Sequence, residues 1–465
     1  MDSYEDYRTK LRQAANYAFI YGLEKFGQDR YRANPPHTWD KVTRQEFSNA
    51  CHEGFKLSQK LIIEEIKKYQ AEIREETVKL KEFRRQRDKE NVKKTETGLK
   101  IINQRISNFS HVADGIAWQM IGAQIHIARR IHLQVDSSKF LDSSNLSSAI
   151  EAAEKINEEP SSFALLSDLT NYIQIGDLLV RKEARLSVVE LKEGVVNDTL
   201  QNFFDSTEKP IHEITDEELK EKFDEKTVGQ AKRMLRQKIR MGQAEEVINT
   251  DKGTDPATGS KIKVRTPEIP TAYYHAEFDK LYNVLLKKTW AYNVIEDCIH
   301  IGMYRDEGIL MAGALKEILK HQATNFIVID WLSITESVAA PLFAKPLPPE
   351  LMIDILTGKV KVILGLDLDK LIAVFNAAGL HTHWATAKET AKAKQIKNAY
   401  SIVEINKRGI IFNIDGHDVY MSGGILSKIF YDCIFPSNMA ATILNSIPGI
   451  DFKEFGDESE SASSC

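Results

Sequence analysis

The sequence is short of several things, and each shortage narrows what the chain can be. It has four cysteines in 465 residues, Cys51, Cys298, Cys433 and Cys465, widely scattered and with no CxxC spacing. This argues against a disulfide framework or a cysteine zinc site, and it predicts reduced thiols in a cytoplasmic protein. No apolar run is long enough to cross a membrane, and the opening MDSYEDYRTK has no apolar signal core. Membrane insertion and secretion are therefore not expected. Positive charge is not in excess either: 62 Lys and Arg face 67 Asp and Glu, a formal net charge of −5. A global affinity for nucleic acid is absent from the composition, although a local basic channel would be hidden in such a sum. Proline is missing between Pro36 and Pro160, which leaves helices free to run long. What is present, 42% hydrophobic and 28% charged residues, is ordinary for a globular chain. The length asks for two or three folding units.

Taken in order, residues Tyr4 to Gly27 carry Leu11, Ala15, Phe19 and Leu23 at helical spacing, and the helix should break at Asn34-Pro35-Pro36. A long helix is predicted from Trp39. Its Ile62, Ile66, Tyr69, Ile73, Leu80 and Phe83 form an a/d seam interrupted at Glu76. Gly98 marks an expected turn, and a second helix then carries Leu99, Ile102, Ile106 and Phe109. Together these make a helical hairpin whose seam needs a mate, either its own second helix or a helix of another copy or partner protein. The tip is basic: Lys81, Arg84, Arg85, Arg87, Lys89, Lys93 and Lys94 against Glu82, Asp88 and Glu90. Two readings stand, a solvated end laced by intrahelical ion pairs or an arm that grips phosphates. Phe109 to Gln134 predicts a buried helix with Asp114 near its start. An acid there serves as a cap or an exposed first-turn charge unless it has a chemical role. His111, His126 and His132 are expected to pack or face solvent.

The centre of the chain is residues 173–194, IQIGDLLVRKEARLSVVELKEG. Ile173 to Val180 and Leu186 to Lys192 are rich in Ile, Val and Leu, as half-buried strands are. With the turn at Glu183-Ala184, Val180 faces Ser187 and Asp177 falls opposite Glu190, with Lys192 on the same sheet face. Two opposed carboxylates repel, and a hard divalent cation between them removes that penalty. A one-residue slip separates the two acids, and charged residues on a hairpin's solvent face are common.

The Gly-Asp, spacer and V-V-E-L-K pattern resembles the PD-(D/E)xK nuclease superfamily over residues 107–305, with Gly176 where the pattern often has proline. The resemblance implies a restriction-endonuclease-like core: a helix, a strand hairpin carrying the acid and the ExK, and a following helix. It implies that Asp177 and Glu190 hold Mg2+ or Mn2+, with Asp114 as the acid supplied by the first helix. Lys192 would orient or activate the attacking water. Gln230, Arg233 and Arg236, on the basic helix VGQAKRMLRQKIRMGQAEEVI, would point toward the scissile phosphate; a merely soluble helix face is the other reading. The implied activity is hydrolysis of DNA phosphodiester bonds, in a setting such as bacterial defence against phage. The alternative is an inactive nuclease-fold protein that binds nucleic acid or assembles through its helical arm.

The remaining signals are structural. The loop DKGTDPATGSK has the wrong order and the wrong flanking elements for a phosphate-binding P-loop, and it predicts a turn or hairpin. Val294 to Tyr304 is expected to be a strand completing the nuclease sheet. FNIDGHDVYM predicts a hairpin turning at Asp415-Gly416. His381 and His383 could share a strand face but lack a third ligand. The expected architecture is mixed α and β: a helical arm over 1–106, the nuclease-like domain over 107–305, an α+β domain of unknown role over 306–454, and a polar acidic tail over 455–465.

Overall fold

The computed structural model describes residues 2–34, 36–122, 145–171, 176–183, 185–191, 195–207, 214–250, 252–256, 259, 261–263, 270–333, 341–395, 402–414 and 416–446. The fold is mixed α+β and divides into two compact units, residues 1–264 with 339–357, and residues 265–338 with 358–465. The boundaries expected at 106 and 305 therefore fall elsewhere. The helical arm is continuous with the central domain, and residues 265–305 belong with the second unit. Cys51, Cys298 and Cys433 are free thiols. Burial pushes Cys51 and Cys298 up to about 12, so neither is a thiolate near neutrality.

In the first unit, α1 (Tyr4–Phe19) starts at Ser3, whose hydroxyl accepts from the Asp6 amide, and it buries Leu11, Ala14, Ala15 and Ala18. Helices α2 (Tyr21–Phe26) and α3 (Gln28–Ala33) follow. Asp40 caps α4 (Lys41–Gln86), a helix of 46 residues. Arg87, in the left-handed region at φ 59°, ends it, and Asp88 caps α5 (Lys89–Met120). The turn is thus at Arg87-Asp88 and not at Gly98, which lies inside α5. An interior glycine weakens a helix by only about 1 kcal/mol, whereas the Asp88 carboxylate accepts from the Asn91 amide at 3.1 Å and starts a new one. Residues 109–120, expected to open a separate helix, are the last third of α5. The seam finds its mate within the hairpin: Ile62, Ile66, Tyr69 and Leu80 are buried, and Tyr69 meets Phe109 with ring centroids 6.4 Å apart.

A later stretch of chain closes this helical layer. Asn108 donates to the Tyr7 hydroxyl at 2.6 Å and to the Leu356 carbonyl at 2.7 Å. Arg8 pairs with the buried Asp354 at 2.5 Å, and Phe19 stacks on Phe343 at 4.8 Å. The Pro349–Leu356 helix is thereby part of the first unit.

Helix α6 (Asn145–Asn157) leads into β1 (Ser162–Leu166), which pairs antiparallel with β2 (Leu178–Lys182), which in turn pairs with β3 (Arg185–Val189). All five residues of β1 are buried. Side chains seal both edges of this three-stranded sheet. On the β1 side, Gln59 of α4 donates to the Ala164 carbonyl and accepts from the Leu166 amide, each at 3.0 Å. Asn157 accepts from the Ala164 amide at 2.8 Å. On the β3 side stands α9 (Glu225–Thr250), reached through α7 (Val195–Ser206) and α8 (Asp216–Lys222). Its Glu245 accepts from the Val188 amide at 2.7 Å, and its Asn249 donates to the Leu186 carbonyl at 3.1 Å. Leu200, Phe204, Leu219, Val228, Ala231 and Met234 form the core among these three helices. The hairpin of β4 (Lys252–Thr254) and β5 (Lys261–Lys263) follows, so the Walker-like loop joins two strands.

The second unit has its own sheets. The first runs in the order β6-β7-β9-β8, all antiparallel, from β6 (Trp290–Ile295), β7 (Ile299–Arg305), β8 (Phe326–Asp330) and β9 (Val360–Asp367). The strand expected over 294–304 is thus the turn and second strand of a hairpin. Glu296 and Asp297 sit at φ 45° and 56°, and β7 pairs with β9 rather than with β3, whose edge is already occupied. The second sheet sets β12 (Arg408–Ile414) between β10 (Thr382–Trp384) and β11 (Glu404–Ile405), with β13 (His417–Tyr420) also on β12. The β12–β13 turn falls where Asp415-Gly416 predicts it, with Gly416 at φ 82°; Asp415 lies outside the described residues. His381 and His383 are both exposed. Among the described residues no helix is long and apolar enough to cross a membrane.

Candidate functional site

The β2–β3 hairpin adopts the register its sequence predicts. Val180 faces Ser187, and Lys182 faces Arg185 across a turn at Glu183, which takes the left-handed φ of 53°; Ala184 lies outside the described residues. The ladder is regular down to Leu178 opposite Val189. At the next step it shifts. The Asp177 carbonyl still faces β1, accepting from the Ser167 amide, but the Asp177 amide turns across to β3 and donates to the Val189 carbonyl at 2.8 Å. A bulge-like step of this kind needs a residue able to enter the left-handed region, and Gly176 supplies it at φ +71°. A Cβ at 176 would lie 2.4 Å from the Val188 Cγ1 and 2.9 Å from the Val189 oxygen. Proline, held near −65°, is excluded.

At this end of the hairpin Asp177 forms a clasp around Glu190. The Asp177 carboxylate Oδ2 accepts from the Leu191 amide at 2.5 Å, so Asp177 is bonded to the residues on both sides of Glu190. From the other side, the Ser167 amide donates to the Asp177 carbonyl at 2.9 Å. Lys192 lies outside the described residues.

Asp114 sits near the end of α5, not at a helix start, and is 1% exposed. Its two carboxylate oxygens accept from the Asn171 amide at 2.6 Å and from the Asn171 side chain at 2.5 Å, and His111 Nδ1 is 3.7 Å away. It holds the loop after β1 that carries Ser167, and so positions Asp177 at second hand. Among the described residues no three His, Cys, Asp or Glu side chains gather closely enough to hold a metal; Asp114, Asp177 and Glu190 do not form such a group.

Glu190 opens instead on a cleft of about 230 Å³ between β3, α7 and α9, shared with Gln201, Gln237 and Lys238 and floored by Met234 and Met241. Lys238 is held over the Phe204 ring, 5.3 Å from its centroid, with the Asp205 carboxylate 3.5 Å away. The sequence-predicted phosphate ligands on α9 divide differently. Gln230 donates to Asn197 of α7, while Arg233 and Arg236 are exposed. Gln237 and Lys238 match no motif in the sequence, yet both line the cleft. Their signal was the helical period itself: three and four residues beyond the buried Met234, they must turn toward β3. The site brings together the Glu190 carboxylate, a half-buried ammonium that faces Asp205 and two side-chain amides, with Asp177 clasped about the strand end beside them. No protein-family model, curated protein or solved structure matches this chain.

Proposed function

We propose that the protein is a metal-dependent nuclease that hydrolyses phosphodiester bonds of DNA at the root of the β2–β3 hairpin. One observation carries the reading: Asp177 is bonded on both sides of Glu190, and Glu190 opens on a cleft walled by the basic helix α9. Asp177 and Glu190 offer carboxylate oxygens, the donors that magnesium and manganese take, and magnesium needs only one or two carboxylates beside water. When bound, such an ion offsets the charge that builds on the phosphate. The remaining work belongs to the chain. Lys192, two residues past Glu190, orients the attacking water by donating to it from the Nζ ammonium. Lys238 and Gln237 face the phosphate oxygens in the cleft, while Arg233 and Arg236 on the outer face of α9 take phosphates further along the strand.

The test is cleavage of labelled single- and double-stranded DNA and RNA by the full chain while magnesium or manganese is titrated. Metal-dependent cutting that is lost in Glu190→Gln and in Lys192→Ala is expected. If the parent cuts none of these substrates at any metal concentration, the non-catalytic binding or assembly role takes its place.

A further inference from the structure

The α4–α5 hairpin ends in a concentration of charge that the site above does not use. Between Lys79 and Lys100 there are nine Lys and Arg against four Asp and Glu, in a chain whose total is negative. Between Tyr69 and Ile102 only Leu80 and Thr95 are buried, so the distal hairpin is a two-helix arm with its sides in solvent. From Tyr69 to Arg87 it extends about 27 Å, at the rise of an α-helix.

Ion pairing accounts for part of the charge. Arg84 pairs with Glu96 at 2.8 Å and Arg85 with Glu82 at 2.7 Å. Lys81, Arg87, Lys89, Lys93 and Lys94 are all exposed, and among the described residues none of them makes an ion pair. Helix electrostatics explains cations near the C-terminus of α4 but not those at the start of α5, where the dipole favours acids. Lys89 is the first residue of α5, and Lys93 follows it at i+4, a like-charge pair that costs a few tenths of a kcal/mol. Glu90 precedes Lys94 by four residues, a spacing worth a few tenths of a kcal/mol, but the hairpin's own stability does not call for Lys89 and Lys93. A helical end also offers no strand edge for a peptide to extend. Recognition there has to act through charge, which suits a repeating polyanion.

We propose that the end of the α4–α5 arm is a docking surface for the phosphate backbone of nucleic acid, gripped by Lys81, Arg87, Lys89, Lys93 and Lys94. Only the identity of the polyanion rests on the nuclease reading. The arm would hold a strand away from the β2–β3 hairpin and without regard to base sequence.

The experiment measures binding of a labelled mixed-sequence DNA duplex to the full chain, in EDTA, across a salt series. A variant with all five cations changed to Gln, and a second with Lys93→Glu and Lys94→Glu, are compared with the parent after matching their melting curves. The proposal expects at least about tenfold weaker binding at low salt. The log–log salt slope should become shallower by roughly 0.9 for each phosphate no longer neutralised. Unchanged affinity and slope in both variants would overturn it. So would a parent that ignores DNA but binds polyglutamate through the same lysines. Cleavage, assayed separately with magnesium, keeps the two ideas apart. If arm variants bind normally while Glu190→Gln stops cutting, the arm proposal alone fails. If arm variants lose affinity in a protein that never cuts, the nuclease reading alone fails.

Discussion

Gly176 shows how much a single residue decides at this site. Its left-handed φ and the 2.4 Å approach of Val188 let Asp177 step across to Val189 and Leu191. Gly176→Ala should cost on the order of 2 kcal/mol, from backbone strain and from the shove against β3, and should cut cleavage several-fold by moving Asp177. Urea unfolding and an activity assay check the two effects. The replacements at the acid and the lysine separate differently. On the proposed nuclease reading, Lys192→Ala should lower cleavage by about 100-fold or more with DNA affinity nearly unchanged, because orienting the water acts in the transition state. Glu190→Gln should be partly rescued by extra metal. His52 gives a pH signature unrelated to chemistry. Buried in α4 between Phe55 and Phe163, it is held down to about 4 by burial and by the nearby Arg181 and Lys56. An unfolded histidine takes its proton near 6.5, so acid favours the unfolded chain first. Stability from this residue should be complete above about pH 6.5 and be lost as pH falls toward 4, by about 3 kcal/mol in full. The slope of stability against pH in that window should flatten in His52→Gln; an equal slope in both proteins would rule the histidine out.

Among the elements, what could be read from the sequence was what neighbouring residues settle between themselves. The alternation of Leu178 to Lys182 with Arg185 to Val189 set the hairpin and its register, and the heptad of Ile62, Ile66 and Tyr69 set the seam. Bonds that join distant residues left no periodic trace. Gln59 is an ordinary polar residue on a long helix until it meets β1, 105 residues away, and Glu245 looks like any surface acid until it meets Val188. These side chains close the sheet edges, which is why a fourth strand expected from 294–304 finds no place. Gln59→Met keeps the bulk but strands the Leu166 amide and leaves the Ala164 carbonyl only its longer 3.4 Å bond from Asn157. It should lower stability by roughly 1–3 kcal/mol, the usual cost of one buried unpaired group, measurable as a lower urea midpoint. On the seam, Ile66→Asp should cost several kcal/mol by burying an unpaired carboxylate. Ile73→Asp, at a half-buried position, should cost much less. Neither should change the size of the particle by gel filtration, since the seam's mate is α5 of the same chain.

At the scale of the molecule, composition misleads in two directions. A net charge of −5 averages over a basic arm end and a basic helix face, and the smooth course of the sequence past residue 264 hides a change of unit. The division could not be read locally, because what assigns residues 339–357 to the first unit is the pairing of Arg8 with Asp354, of Asn108 with Leu356 and of Phe19 with Phe343. A fragment ending at residue 264 should accordingly melt lower than the intact first unit, and a peptide of residues 339–357 should raise its melting temperature. The same pairing has a meaning in time. On the ribosome, the N-terminal helices emerge with Arg8 and Asn108 facing partners not yet made, separated from them by 346 and 248 residues. At ordinary synthesis rates of about 5–20 residues per second, the wait between residues 264 and 357 is on the order of ten seconds. For that interval a nascent chain shows the apolar bed meant for Phe343, and the first unit completes only after the beginning of the second has already been spoken into the cell.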